Sequence, residues 1–286
     1  MKRQKSFTEI KPTLFLVPTP IGNMDDMTFR SVEVLKSVDY IFSEDTRVTK
    51  KLLSHFNINT PLFSYHLFNE NVQADEILNF LREGKNIALV SDAGLPGISD
   101  PGFLITKRAI EADFNVVSLP GANAALTALI ASGIDCANFY FFGFLNSKQN
   151  QRLKQLKILR DIKETLIFYE APHRLLFTLN DMLEVFGNRE IVIARELTKK
   201  FEEYIRGNLE DIIKEIGEIK GEIVIIVDGA SRTHLEEDLL SLSIKNHYEY
   251  YLKQGLSDKD AMKKVASLRN MPKSDVYKNV KTDEQG

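Results

Sequence analysis

A chain of 286 residues that is 43% hydrophobic and 27% charged has the make-up of an ordinary globular protein with room for about two domains, and it holds no apolar run long enough for a membrane span. Its single cysteine, Cys136, excludes an intramolecular disulfide framework and a multi-cysteine zinc site, and its net charge of −3 argues against a protein that simply coats nucleic acid. The basic opening MKRQKSFTEIK leads only into the short apolar LFLV, too brief for a signal-peptide core, so a cytoplasmic protein is expected.

Short β-rich runs then recur along the chain: TLFLV (13–17), DYIFS (39–43), NIALVS (86–91), NVVSL (115–119), NFYFFG (138–143), TLIFYE (165–170), EIVIAR (190–195) and GEIVIIV (221–227). Most are continuously apolar, the pattern of strands covered on both faces. Amphipathic segments separate them. In DEILNFLREG, Ile77, Leu78 and Leu81 share a face before Gly84; in LLFTLNDMLEVFG, Leu176, Leu179, Leu183 and Phe186 do so before Gly187. The class predicted is α/β, two domains with largely parallel sheets, divided as 1–121 and 122–232.

After Gly229 the strands stop, and helical segments are predicted at about 234–254, 258–269 and 272–281, with Pro272 in the first turn of the last. They form a third region, 233–286. Between Lys245 and Lys281 nine Lys and Arg stand against four Asp and Glu, an excess of +5 in a chain that is negative overall. Such segregation suits an anionic partner such as RNA, with a solvated helical face as the alternative.

In open α/β sheets ligands sit beyond the carboxyl ends of the strands. Four turns there are unusual: PTPIGN (18–23), SDAGLPGISDPG (91–102), PGAN (120–123) and RELTK (195–199). Proline and glycine let backbone approach a ligand closely, and several such turns together point to a binding cleft. No GxxxxGK[ST] and no GxGxxG after the first strand is present, which removes support for a P-loop hydrolase and a dinucleotide-binding Rossmann domain, and no HExxH suggests a metal. The five histidines, His55, His66, His173, His234 and His247, are scattered, so no metal site is expected.

PTPIGN, SEDTR (43–47), the His66-x-x-Asn69-Glu70 element, LVSDAGLPGISDPG, LPGANAALTAL, FYEAPHRL (168–175) and ARELTKKFEE (194–203), in this order, resemble the tetrapyrrole-methylase superfamily. Within it they resemble the branch that methylates a cytidine 2′-hydroxyl in the decoding region of small-subunit (16S) ribosomal RNA. The likeness spans nearly the whole chain, including the helical tail. Leu95 stands where that branch usually has threonine, and the opening turn lacks the GDP-type ending of the enzymes that act on tetrapyrroles. The resemblance implies S-adenosylmethionine in a cleft between two α/β domains, usually in a homodimer, with rRNA or a ribosomal subunit as substrate and no membrane partner. It places cofactor contacts at Pro18, Thr19, Ile21, Ser91, Asp92, Ala93, Gly94, Ser99, Asp100, Pro120, Gly121, Ala122, Tyr169, Glu196 and Leu197. A methyltransferase of this fold acting on a tetrapyrrole or other small molecule, and a non-catalytic assembly factor binding the cofactor and RNA, are the alternatives.

Methyl transfer to a ribose hydroxyl needs alignment and a place for the proton. Candidates at strand ends are Glu44, Asp45, Asp100, Glu170 with His173, and Glu196 with Lys199; Asp45, Glu170 and Lys199 are the catalytic set taken forward. Each has a competing structural reading, such as an ion pair of Asp45 with Arg47 or of Glu170 with Arg174. For RNA phosphates, SKQNQRLKQLKILRDIK (147–163) adds Lys148, Arg152, Lys154, Lys157, Arg160 and Lys163, although this helix is equally suited to a dimer face or plain surface.

Overall fold

The computed structural model describes residues 2–6, 8, 11–65 and 70–281. In the first half, β1 (Thr13–Val17), β2 (Tyr40–Ser43), β3 (Leu62–Ser64), β4 (Ile87–Val90) and β5 (Asn115–Ser118) form one sheet in the order β3-β2-β4-β1-β5, every pair parallel. Helices α1 (Phe29–Ser37) and α2 (Thr46–His55) cover one face, where Leu35 and Leu53 meet Val17, Ile41, Ala88 and Val90. On the other face α3 (Glu70–Arg82) and α4 (Phe103–Glu111) bring Ile77, Leu81 and Ile105 against Leu14, Phe42 and Leu89. Burial on both faces explains the unbroken apolar runs. The connections leaving adjacent β1 and β4 go to opposite faces, and a crevice therefore opens beyond their carboxyl ends.

The second sheet contains β6 (Phe139–Phe144), β7 (Thr165–Glu170), β8 (Glu190–Arg195), β9 (Glu203–Asn208) and β10 (Ile223–Val227), ordered β6-β7-β10-β8-β9. Here only β6 and β7 are parallel; β10 runs against both β7 and β8, and β9 against β8. Parallel pairing thus holds for five of the eight strand pairs, since a continuous apolar run reports burial on two faces and carries no direction. Helix α5 (Ala124–Ser132) packs Ala125, Ala128 and Leu129 on one face, against Ile167, Val192 and Val224. Helices α6 (Gln149–Leu159), α7 (Leu175–Phe186) and α8 (Leu209–Glu215) cover the other, around Phe168, Leu179 and Ile225. The sequence does not announce β3, only three residues long, or β9, whose EYIRGN lies at the sheet edge with little apolar content.

Four helices follow where three were expected: α9 (His234–Ser241), α10 (Ile244–Lys253), α11 (Asp258–Leu268) and α12 (Lys273–Lys281). The predicted 234–254 helix breaks at Leu242, and the Ser243 hydroxyl accepts from the Asn246 amide to restart it as α10. Pro272 precedes α12, its carbonyl accepting from Asp275 and Val276. Helices α10 to α12 bury Tyr248, Ala261, Met262, Val265, Val276 and Val280 against one another, so this region has a core of its own. Arg269 closes it onto α9 by donating to the carbonyls of Leu239, Leu240 and Leu242 and, through Nε, to His247 Nδ1. Helix α9 is tied to the body by Arg160–Glu237 (3.0 Å), Lys163–Glu236 (3.4 Å) and the His234 amide on Asp161 Oδ1 (2.8 Å).

Those contacts take three of the six cations expected on the basic stretch 147–163 and leave Lys148, Lys154 and Lys157 exposed. Arg160 and Lys163 hold α9, and Arg152 is buried, its Nε 2.6 Å from Asp181 Oδ2. Gln149 fills the other Asp181 oxygen (2.8 Å), and Arg152 Nη1 reaches the carbonyls of Asn146 and Ser147. Breaking such a pair leaves an uncompensated buried charge, at a cost of about 3–5 kcal/mol. Asp181→Ala should therefore lower the unfolding free energy by that order in urea titrations, whereas the double variant Arg152→Met/Asp181→Leu should lose clearly less.

Candidate active site

The turns after β1 and β4 are stitched by backbone: the Thr19 amide donates to the Gly94 carbonyl (2.9 Å) and the Gly94 amide to the Thr19 carbonyl (3.0 Å). Side chains reinforce the join, Thr19 Oγ1 donating to the Ser91 carbonyl (3.0 Å) and Ser91 Oγ to the Gly94 carbonyl (2.6 Å). The turn after β5 closes on the same point, because a Cβ on Gly121 would lie 2.2 Å from Cγ of Pro18. Gly121 is thus required by the proline ring beside it. The hydroxyls of Thr19 and Ser91 serve the turns, leaving main chain to face the space beyond.

That space is a cavity of about 400 Å³ between the sheets. From the first half it is lined by Ile21, Asp92, Ala93, Gly94, Leu95, Ile98, Ser99 and Asp100; from the second by Asn123, Ala124, Phe144, Tyr169, Glu170, Leu197, Glu222 and Val224 among others. A smaller cavity of about 240 Å³ adjoins it, sharing Ile21, Asp92, Ala93 and Glu222 and adding Thr19, Pro20, Met24, Val48, Thr49, Ser91 and Lys199.

Of the residues singled out from sequence, Ile21, Asp92, Ala93, Gly94, Ser99, Asp100, Tyr169, Glu170 and Leu197 line the larger cavity, and Thr19, Ser91 and Lys199 the smaller. Pro18 and Gly121 stand behind the wall against each other, and Ala122 packs in the apolar layer around α5. Glu196 binds Lys199 Nζ (2.9 Å) and accepts from the Glu222 amide (3.1 Å). Asp45 caps α2 through the Arg47 amide and pairs with the Arg47 guanidinium, which holds its carboxyl well below the usual range; its own amide donates to Asp92 Oδ1 (3.0 Å). His66 and Asn69 lie outside the described residues. Glu70, the last member of their motif, accepts from the Tyr65 hydroxyl (3.2 Å) and the Gly102 amide (3.4 Å), anchoring the end of the 91–102 loop.

Charges in the cleft are mostly committed. Glu170, its carboxyl fully enclosed, accepts from Thr178 Oγ1 (2.6 Å) and the Ala171 amide (2.8 Å) and pairs with Arg174 (3.3 Å). Lys199 is clamped between Glu196 and Glu222, each at 2.9 Å. Burial pulls its ammonium down, but the two carboxylates outweigh burial and raise it, so it stays charged. Asp100 is different. It makes no hydrogen bond or ion pair among the described residues, and burial, aided by Glu44 and Asp92, pushes its carboxyl up to about 6.

Residues that sequence reasoning missed include Leu95, Ile98, Phe144, Glu222 and Val224. Glu222 and Val224 escaped because they open a strand: β10 is antiparallel to both neighbours, so its amino end meets the cleft where β7 and β8 present their carboxyl ends. Among the described residues no group of three or more His, Cys, Asp or Glu is arranged to hold a metal ion.

The family Tetrapyrrole (Corrin/Porphyrin) Methylases matches residues 13–213, which takes in both sheets through β9. The chain belongs to that family. Among curated relatives, the Ribosomal RNA small subunit methyltransferase I of Bacillus subtilis (strain 168) is 51% identical over 284 residues, covering 97% of each chain. That of Halalkalibacterium halodurans is 49% identical, covering 97% of this chain and 98% of its own. Solved structures agree in fold alone. A diphthine synthase superposes with a TM-score of 0.61 at 14% identity, covering 78% of this chain and 92% of its own. The cobalt precorrin-4 methyltransferase CbiF does so with a TM-score of 0.56 at 16% identity, covering 76% and 94%.

Asp100 gives the cleft a pH signature. Its folded value of about 6 exceeds the ordinary 3.8, so between these values the folded state holds the proton more tightly than the unfolded chain, and stability falls as pH rises through that window. Asp100→Asn should therefore be more stable than the parent at pH 7.5, by about 1–2 kcal/mol once partial exposure is allowed for, and no more stable below pH of about 4. Denaturant midpoints at the two pH values check this.

Proposed function

We propose that the chain transfers a methyl group from S-adenosylmethionine to the 2′-hydroxyl of a cytidine in the decoding region of small-subunit ribosomal RNA. One observation carries the reading: about half the residues are identical, across 97% of both chains, to a protein named for methylating that RNA, over a fold whose cleft suits the cofactor. The larger cavity falls within the roughly 300–1,000 Å³ of small-molecule sites. Ile21, Ile98, Leu197 and Val224 offer flat apolar contact for an adenine, while Asp92 and Asn123 and the main chain of 92–94 offer polar partners for hydroxyls and for a charged amino-acid end. The cofactor supplies an activated methyl on sulfur; the chain has to align it with the nucleophile and exclude water.

We assign cofactor contact to Ile21, Asp92, Ala93, Gly94, Ser99, Asp100, Tyr169 and Leu197, with Pro18, Pro120, Gly121 and Ala122 shaping the wall from behind. The smaller cavity, with Thr19, Ser91 and Lys199, takes the nucleoside side of the cleft. There Lys199 Nζ is held in place between the carboxylates of Glu196 and Glu222. Asp45 positions the Asp92 carboxylate through its amide, and Glu170 fixes the turn after β7. We divide the chain into units 1–121, 122–232 and 233–286, acting in the cytoplasm as a homodimer. Dimerisation is supported by β6, an edge strand that leaves Phe139, Tyr140 and Phe144 exposed.

Incubation with labelled cofactor and either small ribosomal subunits or naked rRNA, followed by nucleoside analysis, should yield ribose-methylated cytidine. Base methylation, or label on a tetrapyrrole and not on RNA, would overturn the reading.

The appendage supplies RNA contacts: Lys253, Lys259, Lys263 and Lys273 are exposed on a unit that buries Tyr248, Met262, Val265 and Val276 in a core of its own. Removing residues 243–286 should leave cofactor affinity unchanged, raise KM for the ribosomal substrate and flatten the slope of log affinity against log salt by about 0.7–0.9 for each phosphate that is no longer neutralised. An unaltered salt slope in a folded truncated protein would rule out this role.

A further inference from the structure

An RNA strand held by both the cleft and the appendage has to cross the surface between them. Helix α6 spans that surface. Its amino end follows β6 shortly after Phe144, which lines the larger cavity, and the residues at its carboxyl end, Arg160, Asp161 and Lys163, hold α9. The eleven residues of helix between these points run for about 16 Å.

The buried pair of Arg152 and Asp181 sets how the helix begins. Arg152 Nη1 donates to the carbonyls of Asn146 (3.3 Å) and Ser147 (3.2 Å), Gln155 Oε1 accepts from the Asn146 amide (2.8 Å), and Asn146 Oδ1 accepts from the Lys148 amide (2.9 Å). With Arg152, Leu156 and Leu159 buried, the opposite face is held outward. It carries Lys148, Lys154 and Lys157, all exposed and none in an ion pair among the described residues. No Asp or Glu occurs from Ser147 to Arg160 to offset them. Where acids do approach, on α9, Glu236 and Glu237 are already paired with Lys163 and Arg160.

We propose that this face of α6 carries the phosphate backbone of a single RNA strand between the appendage and the cleft. The inference rests on the RNA-methylation reading above. Lysine suits the task, because its ammonium is a point charge on a flexible stem that holds a phosphate without fixing its orientation. Such contacts set the register of a strand and read no sequence. Ile158, 79% exposed beside these lysines, offers apolar contact to the uncharged sugars. The buried ion pair beneath then has a use beyond packing: it anchors the turn from which the basic face starts.

Lys148→Gln/Lys154→Gln/Lys157→Gln in the full chain removes three charges at exposed sites and leaves the Arg152–Asp181 pair intact. Binding of naked small-subunit rRNA should weaken by about ten- to hundredfold at about 0.1 M salt, and the slope of log affinity against log salt should flatten by about 2, at about 0.7 for each phosphate of a single strand. Arginine at the same three positions should restore both. Calorimetry should show S-adenosylmethionine affinity equal to the parent's. A matched control, Lys36→Gln/Lys107→Gln/Lys214→Gln, takes the same charge from exposed sites on α1, α4 and α8 and should keep the parent slope. An unaltered slope in the folded α6 variant, or equal flattening in the control, would overturn the proposal. So would conversion of a dimer to monomers by the α6 substitutions, since a second copy of the chain would then cover this face. Binding is measured apart from methylation, so a parent that binds RNA along α6 but methylates none would overturn only the functional reading.

Discussion

Two backbone hydrogen bonds between Thr19 and Gly94 hold the turn after β1 to the turn after β4, and the rest of the cleft depends on that join. The sheet sends the connections from these adjacent strands to opposite faces, which would otherwise leave a gap between two mobile turns. Pairing their main chains converts the gap into a rigid edge. The Pro18 ring against Gly121 extends the edge to the turn after β5, and Ile21, just beyond, enters the apolar layer that α5 forms on the second sheet. One short stretch, 18–21, thereby fixes three turns of the first sheet and registers them against the second.

Electrostatics in the cleft divide along similar lines. Carboxylates that pair with cations or cap a helix shape the turns, and Asp45, Glu170, Glu196 and Glu222 all belong to this group. Their partners lower the cost of burying charge, and those geometries are strongly held. Asp100 is left out of the pairing in a partly enclosed place, where ionisation is disfavoured by burial and by Glu44 and Asp92. Structural acids are buffered by partners, and the acid held near 6 has none among the described residues. Strain is concentrated in the same region. Ser99 on one wall, and Glu196 and Thr198 on the other, adopt positive φ although none is glycine.

The basic appendage is built to be separable from this machinery. Its apolar residues satisfy one another, Arg269 closes it onto the end of α9, and a few ion pairs through Arg160 and Lys163 connect α9 to the body. Surface ion pairs of this kind stabilise little individually, about 0–1 kcal/mol. The join therefore sets position more than stability.

Much of this was legible in the sequence because it depends on local pattern. Unbroken apolar runs marked eight of the ten strands, and proline and glycine beyond them marked the turns that surround the cleft. The motif series carried the family. What the sequence left open depends on who meets whom across the fold. Edge strands β3 and β9 lack the burial that writes an apolar run, and the reversed direction of β10, which puts Glu222 in the cleft from a strand's beginning, leaves no local trace. Arg152 reads as one more exposed cation of a basic helix until α7 places Asp181 against it. Most telling are the candidate bases, which look alike as acids in turns. Pairing is a matter of distances of a few ångströms, so only the tertiary structure separates Asp45, Glu170 and Glu196, whose charge is already spent, from Asp100 and Glu44, which pair with nothing among the described residues.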